Sequence, residues 1–472
     1  MLYSIKPQLQ FQAQLLSDYI TQQTLMPVKY SGVISDKCSI ILDIGYPDAN
    51  EEAYKPTITS DSISINGSTE KGSFYGIQSL RKMIPVQKTP KKIKILTQEI
   101  IDRPRFSYRG LLLDVARYFR TVEEVKKFMD IMALHNMNFL HFHLTDDQGW
   151  RIEIPKYPDL TRIGSRRRQT KGDGIPISGF FTRKDILDLI EYGQSRQITI
   201  IPEIDLPGHA QSALTAYPKL GCTGGPYEVS ERFEVHSDML CYGNPESMVF
   251  IKDVLSYVMD LFPSKYVHIG GDEAEKSQWK ACQKCQAKIR ELGFVDDQIS
   301  TKEDKLQRHL TIELSKIISS KGKEMIGWSE IAHGEKVENS IVMSWLRNKN
   351  NEMPEKDNYT VILTPTNPMY LDYLQEKRSN LNTLDKVYNY EPITENHNDN
   401  DVSRFMGIEA CMWTEYTPTF ESVMTKVLPR AAAVSVAQWS FPNLKNYQSF
   451  LGDLENLKKI YELNNYVYYA DY

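Results

Sequence analysis

The segment HIGGDE, residues 268–273, sets two carboxylic acids side by side behind a pair of glycines. Neighbouring residues on a regular strand face opposite sides, so Asp272 and Glu273 could share a cleft only if the strand bulges or turns there. Gly270 and Gly271 permit that turn. Two carboxyls held close repel when both are ionised, so one tends to keep its proton near neutral pH. An acid beside a carboxylate is what cleavage of a glycosidic bond requires, although a charged surface turn gives the same letters. Further acids close other apolar runs: Asp146-Asp147, Glu203, Asp205 with His209 just beyond, Asp372 and Glu415. Trp328, Trp345, Tyr370 and Trp413 stand among them, so three of the six tryptophans fall at such positions. Aromatic faces pack on the C–H faces of sugar rings, and carboxylates accept hydroxyl hydrogen bonds and perform acid–base work. One tryptophan alone is most simply core, but three beside acids are not. His141 and His143, two apart, could join His268 on a metal or could be satisfied by local hydrogen bonds. His209 could orient an acid or cap its loop. No GxxxxGK loop is present, which argues against nucleotide chemistry.

The elements that must position these residues are short apolar runs alternating with amphipathic helices. Candidate strands cover 109–116, 138–147, 198–205, 266–273, 324–330, 340–345, 360–365 and 405–413, with helical stretches such as TVEEVKKFMDIMALHN and TRKDILDLIEYGQSR between them. Eight strand–helix units over about 340 residues predict an α/β fold, a (β/α)8 TIM barrel. An open doubly wound sheet is the alternative, but no GxGxxG follows the first strand. Long insertions follow the third strand (206–244) and separate the last two, the latter containing the polar run TENHNDND, read as a solvated loop. Ahead of the barrel, β-rich stretches at 31–43 and 57–67 and an amphipathic helix over 70–83 predict a small α/β domain. The boundary falls at Pro104, giving an N-terminal domain over 1–104 and a barrel with closing helices over 105–472.

Composition excludes several classes. The 472 residues are 41% hydrophobic, 11% aromatic and 25% charged, with 61 acids against 56 bases and a net charge of −5. No strongly basic face is implied, so nucleic acid is not an expected partner. Nothing approaches the apolar run of a membrane span. The opening MLYSIKPQLQF lacks the build of a secretory signal, so the chain is expected either in the cytoplasm or in a mature form without its signal. Six cysteines are too few for a disulfide scaffold. Cys282 and Cys285 form a CxxC and Cys222 and Cys241 bracket a second span, but no second CxxC and no HxxxH completes a zinc set. Free thiols or structural disulfides are therefore expected, with no metal and no cofactor.

RGLLLDVARYF, HFHLTDDQGWRIEI, PEIDLPGHA, HIGGDEA, GWSE, MYLDY and CMWTE, in this order, resemble family 20 glycoside hydrolases, the β-N-acetylhexosaminidases. The resemblance spans about 109–440, and EKGSFYGIQSLRKM resembles the α/β domain that precedes the barrel in that family. It implies retaining, exo-acting hydrolysis of terminal β-linked GlcNAc or GalNAc from an oligosaccharide or glycoconjugate. The substrate's own 2-acetamido oxygen would be the nucleophile, forming an oxazolinium intermediate. Glu273 would be the general acid and then base, and Asp272 would orient the acetamido N–H. Tyr370 would bind the acetamido oxygen, and Trp328, Trp345 and Trp413 would enclose its methyl. Arg109, Asp372 and Glu415 would hold hydroxyls, and Asp146 and His209 would support Glu273. Arg109 rests on the resemblance alone, because its place at the start of the first strand points to the barrel floor. Tyr118 stands where the family commonly has His. Family members are often exported, which implies an extracytoplasmic (periplasmic or secreted) location. A non-catalytic carbohydrate-binding barrel, a metal-dependent hydrolase on His141, His143 and His268, and a glycosidase without acetamido assistance are the competing readings.

Overall fold

The computed structural model describes residues 2–4, 6–31, 39–346, 358–376, 381–394 and 397–471. The chain opens with six strands, β1 (Leu2–Ser4), β2 (Tyr30–Ser31), β3 (Ser39–Ile44), β4 (Tyr54–Ile58), β5 (Ser62–Gly67) and β6 (Gln98–Glu99). They form one sheet in the order β2-β1-β3-β5-β4-β6. The stretch predicted at 57–67 splits into a hairpin, because Thr59 N–H donates to Ser62 O and reverses the chain. Part of the stretch predicted at 31–43 becomes β3, and residues 32–38 lie outside the described residues. Helices α1 (Gln10–Thr24) and α2 (Glu70–Met83) cover the sheet. Leu16 and Ile20 of α1 meet Ile77 and Leu80 of α2 over Leu42 and Ile65. Thr69 caps α2 by accepting from Lys71 N–H.

The second part is a closed barrel. Its strands are β7 (Tyr108–Asp114), β8 (Phe139–His143), β13 (Thr199–Glu203), β14 (Tyr266–His268), β15 (Glu324–Trp328), β16 (Ser340–Ser344), β17 (Thr360–Leu363) and β18 (Phe405–Met412). They pair in parallel and close through β18 and β7. Helices cover the outside, so strands such as YRGLLLD are buried at every residue and read as continuous apolar runs. Helices follow where Thr121, Thr182 and Thr301 form capping boxes with Glu124, Asp185 and Asp304. Two small hairpins, β9 (Thr145–Asp146) with β10 (Gly149–Trp150) and β11 (Arg166–Arg167) with β12 (Ile177–Ser178), rise after β8. The run predicted as one strand over 138–147 therefore ends at His143, and its paired aspartates belong to a hairpin. In the TENHNDND run, Asn398 caps a helical turn over Asp399–Val402, while residues 395–396 lie outside the described residues.

The N-terminal sheet and α2 join the barrel floor. Trp439, in a closing helix (Arg430–Trp439), donates to Asp102 Oδ1 at 3.0 Å and packs edge-on against Tyr75. Arg109, at the foot of β7, spends all five N–H donors there. It meets Glu52 with both terminal nitrogens (2.8 and 2.9 Å), Tyr75 Oη, Phe106 O and Asn136 O. No helix among the described residues is long and apolar enough to cross a membrane.

Candidate active site

The turn after β14 is built on left-handed backbone. Gly270 has φ +65° and Gly271 φ +101°, and Glu273 itself has φ +44°. A Cβ on Gly270 would lie 1.8 Å from Asp205 Oδ1, so only glycine fits. The turn sends both Asp272 and Glu273 into the mouth, with side-chain exposures of 16% and 42%. Each has a carboxylate oxygen 3.7 Å from His209 Nε2. The other ring nitrogen, Nδ1, lies 3.3 Å from both Asp146 and Asp147. Burial disfavours a charged His209 ring, but Asp146 outweighs it and holds the imidazolium well above its ordinary range.

Below this, a string of alternating acids and imidazoles runs down the barrel axis. His143 Nε2 lies 3.0 Å from Asp146 Oδ2, and its Nδ1 is in very short contact with Glu203. Glu203 also faces His141 and His268 at 3.1 Å each and accepts from Trp328 Nε1 at 2.9 Å. His141 Nδ1 lies 2.8 Å from Glu409, which accepts from Tyr108. Burial opposes charge on His141, yet Glu409 and Glu203 raise it to about 9, while burial pushes His268 down to about 4. Both ring nitrogens of His141 and of His143 face carboxylates, so these rings serve acids.

Asp272 is strongly perturbed. Burial, then Glu330, Glu203 and Glu273 against the opposing His209, pushes it up to about 7. Its Oδ1 makes no hydrogen bond to the described residues. Glu330, in the GWSE segment, accepts from Trp345 Nε1 at 3.1 Å, and burial raises its pKa. Sequence reasoning passed over it by taking Trp328 as the informative residue of that motif.

One wall is aromatic. Trp345 stacks on Tyr370 (centroids 6.4 Å), Tyr370 leans on Trp413 (6.2 Å) and Trp413 on Trp328 (5.8 Å). The rim that adjoins it is acidic. Asp372 is pushed up to about 7 by burial and by Glu415, and its buried Oδ1 also makes no hydrogen bond to the described residues. Arg117 reaches this rim from the top of β7. It lies 2.7 Å from Asp146, 3.4 Å from Asp114 and 3.8 Å from Glu415, and its guanidinium is 5.2 Å from the Trp413 ring.

Arg117 corrects the sequence reading. Arg109, expected to hold sugar hydroxyls, is on the floor with every donor taken by the protein and cannot reach the mouth. The position just past the C-terminal end of the first strand could have revealed Arg117, had bases been sought there as acids and aromatics were. The other expected residues, Asp146, His209, Asp272, Glu273, Trp328, Trp345, Tyr370, Asp372, Trp413 and Glu415, gather around this one end of the barrel. Tyr118 packs outside it, near Phe233 and under the Arg167 guanidinium.

Paired acids, a histidine relay and an aromatic wall at the strand tops of a barrel are the parts that sugar recognition and acid–base chemistry use. The chain belongs to glycosyl hydrolase family 20: residues 106–442 match its catalytic domain and residues 2–102 its domain 2. A β-hexosaminidase of Porphyromonas gingivalis is 38% identical over 419 residues, 86% of this chain and 53% of that one. One of Akkermansia muciniphila is 30% identical over 421 residues, 87% of this chain and 84% of that one. The chain therefore spans about half the length of the first relative and most of the second. Among solved structures, the exo β-N-acetylglucosaminidase of Vibrio harveyi in complex with N-acetylglucosamine superposes with a TM-score of 0.89 at 29% identity, over 100% of this chain and 75% of that one.

Proposed function

We propose that the chain is an exo-acting β-N-acetylhexosaminidase that hydrolyses terminal β-linked GlcNAc or GalNAc with retention, assisted by the substrate's acetamido group. The observation that carries this reading is the unequal pair: an exposed Glu273 beside a half-buried Asp272 with a free oxygen, next to an aromatic box. Glu273, open to solvent, gives its proton to the leaving oxygen as the acetamido oxygen attacks C1 and the aglycone departs. Asp272 accepts the acetamido N–H, and as a carboxylate it offsets the positive charge that forms on the cyclic oxazolinium. Trp328, Trp345 and Trp413 enclose the acetamido methyl, and Tyr370 donates to its oxygen. Water then loses its proton to the Glu273 carboxylate and opens the ring at C1 from the face the aglycone left. Asp372 and Glu415 take sugar hydroxyls, with Arg117 holding Glu415 and Asp146 in place. The relatives' names and the sugar in the Vibrio complex support the choice of substrate.

Hydrolysis of 4-nitrophenyl N-acetyl-β-glucosaminide against the matching β-glucoside tests the reading. Fast release from the acetamido sugar alone is expected, with strong inhibition by a thiazoline mimic of the cyclic intermediate. Equal release from both sugars would exclude acetamido assistance, and release from neither would leave a sugar-binding barrel.

A further inference from the structure

The four cysteines that the sequence sorts into two unrelated pairs converge on one point behind the active-site loops. An antiparallel bridge, Gly221 to Leu240, sets Cys222 beside Cys241. The CxxC lies where the short helix Ser277–Ala281 hands over to the helix Gln283–Glu291, so Cys282 caps the second helix and Cys285 lies in its first turn. The two parts touch backbone to backbone: a Cβ on Gly243 would lie 2.2 Å from the Lys284 carbonyl carbon. All four Sγ atoms lie within 4.8 Å of one another. Three contacts, Cys222–Cys285 (3.8 Å), Cys241–Cys282 (3.6 Å) and Cys241–Cys285 (3.6 Å), cross from the loop to the CxxC. A disulfide needs about 2.05 Å. Four thiolates about 2.3 Å from one Zn²⁺ form a tetrahedron with edges of about 3.8 Å. Cys241 and Cys285 are fully buried, Cys282 nearly so and Cys222 half-buried.

We propose that Cys222, Cys241, Cys282 and Cys285 form a structural Zn²⁺ site that clasps the loop after β13 to the segment after β14. The clasp holds the loop that opens with His209 against the segment that follows Glu273. Trp279 Nε1 donates to Leu240 O (3.0 Å) beside it, and Leu240 N–H donates to Pro207 O (3.0 Å). The expectation that no ligand set exists thus fails, because half of the set comes from a loop distant in sequence.

The experiment is metal analysis of the whole chain purified without chelator, followed by titration with an organomercurial and a zinc-sensitive dye. About one zinc per chain is expected, released as about four thiols react. Non-reducing denaturation with chelator then exposes these four as thiols among the six cysteines of the chain. Cys282→Ser/Cys285→Ser abolishes the zinc. Cobalt in place of zinc gives sulfur-to-metal charge transfer and tetrahedral d–d bands. Disulfides in place of these thiols, or the four thiols without stoichiometric metal, would overturn the site. Both of those readouts come from the unmutated chain, whether or not the variant folds, and neither depends on sugar hydrolysis.

Discussion

Arg109 and Arg117 flank the same strand, β7, and both lie among carboxylates, but at opposite ends of the barrel. At the floor, every donor of Arg109 and both oxygens of Glu52 are occupied by the protein. At the mouth, Arg117 steadies Asp146 and Glu415, while Asp272 and Asp372 each keep an oxygen that the described residues do not satisfy. Burying a polar atom without a partner costs about 1–3 kcal/mol, so a fold accumulates such atoms where a ligand supplies the missing bond. Completeness of pairing is what sets the Arg109–Glu52 pair at the joint apart from Asp272 and Asp372 at the mouth.

The largest effect expected at the mouth is that of Glu273→Gln. Removing the proton donor lowers kcat on a disaccharide with a poor leaving group by about 10²–10⁴-fold, and much less on an activated aryl glycoside. Because the side chain is 42% exposed, the melting temperature should hardly move. Equal losses on the two substrates would remove Glu273 from the acid role.

Asp272→Asn should lower kcat by about 10²-fold through lost orientation and charge stabilisation, and it should also stabilise the fold at high pH. The folded chain holds the Asp272 proton up to about 7, against an ordinary value of 3.8. Between those values the folded state binds more protons than the unfolded, so this residue's contribution to stability falls as pH rises and the penalty is complete above pH 7. Asparagine carries no such penalty. Thermal melts should therefore show the variant above the parent at pH 8 and the two converging towards pH 4. A variant that melts lower at pH 8 would place Asp272 with the satisfied groups of the floor.

A smaller effect belongs to Arg117→Lys. The ammonium keeps the charge but cannot span Asp146, Asp114 and Gln148 together, as the guanidinium does at 2.7, 3.4 and 3.1 Å. A loss in kcat/KM on the order of 10-fold is expected, with the thermal midpoint little changed. Unchanged kinetics would mean that Asp146 and Glu415 hold their places without the fork.

Much of this was legible before any coordinates. Parallel strands buried on both faces read as apolar runs, so all eight barrel strands were recognisable, as were the helical stretches that open at Thr121 and Thr182. Acids and aromatics at strand ends located the mouth. Other features were not visible for physical reasons. Helix α1 buries Gln12, Ser17, Gln23 and Thr24, which blurs its apolar stripe. Arg109 was given to the sugar by the resemblance alone, although its place at the start of the first strand already pointed to the floor, where its donors are found. The cysteine cluster joins residues 63 apart, and no local spacing rule sees such a set.

The sharpest test of the contrast is the variant expected to do least to catalysis. Glu52→Ala strips the floor pair of its anion and leaves a guanidinium that is 1% exposed without its partner. Removing one member of a buried pair typically costs about 3–5 kcal/mol, because the remaining charge must stay desolvated. Chemical denaturation should show a loss of that order, while kcat and KM, measured where the variant is still folded, should match the parent. The floor lies across the whole strand from the acids at the mouth, and none of the five hydrogen bonds of Arg109 reaches a residue of the active site. A raised KM with an unchanged midpoint would reverse the assignment, returning Arg109 to the substrate and making the completeness of its hydrogen bonding a poor guide to its role.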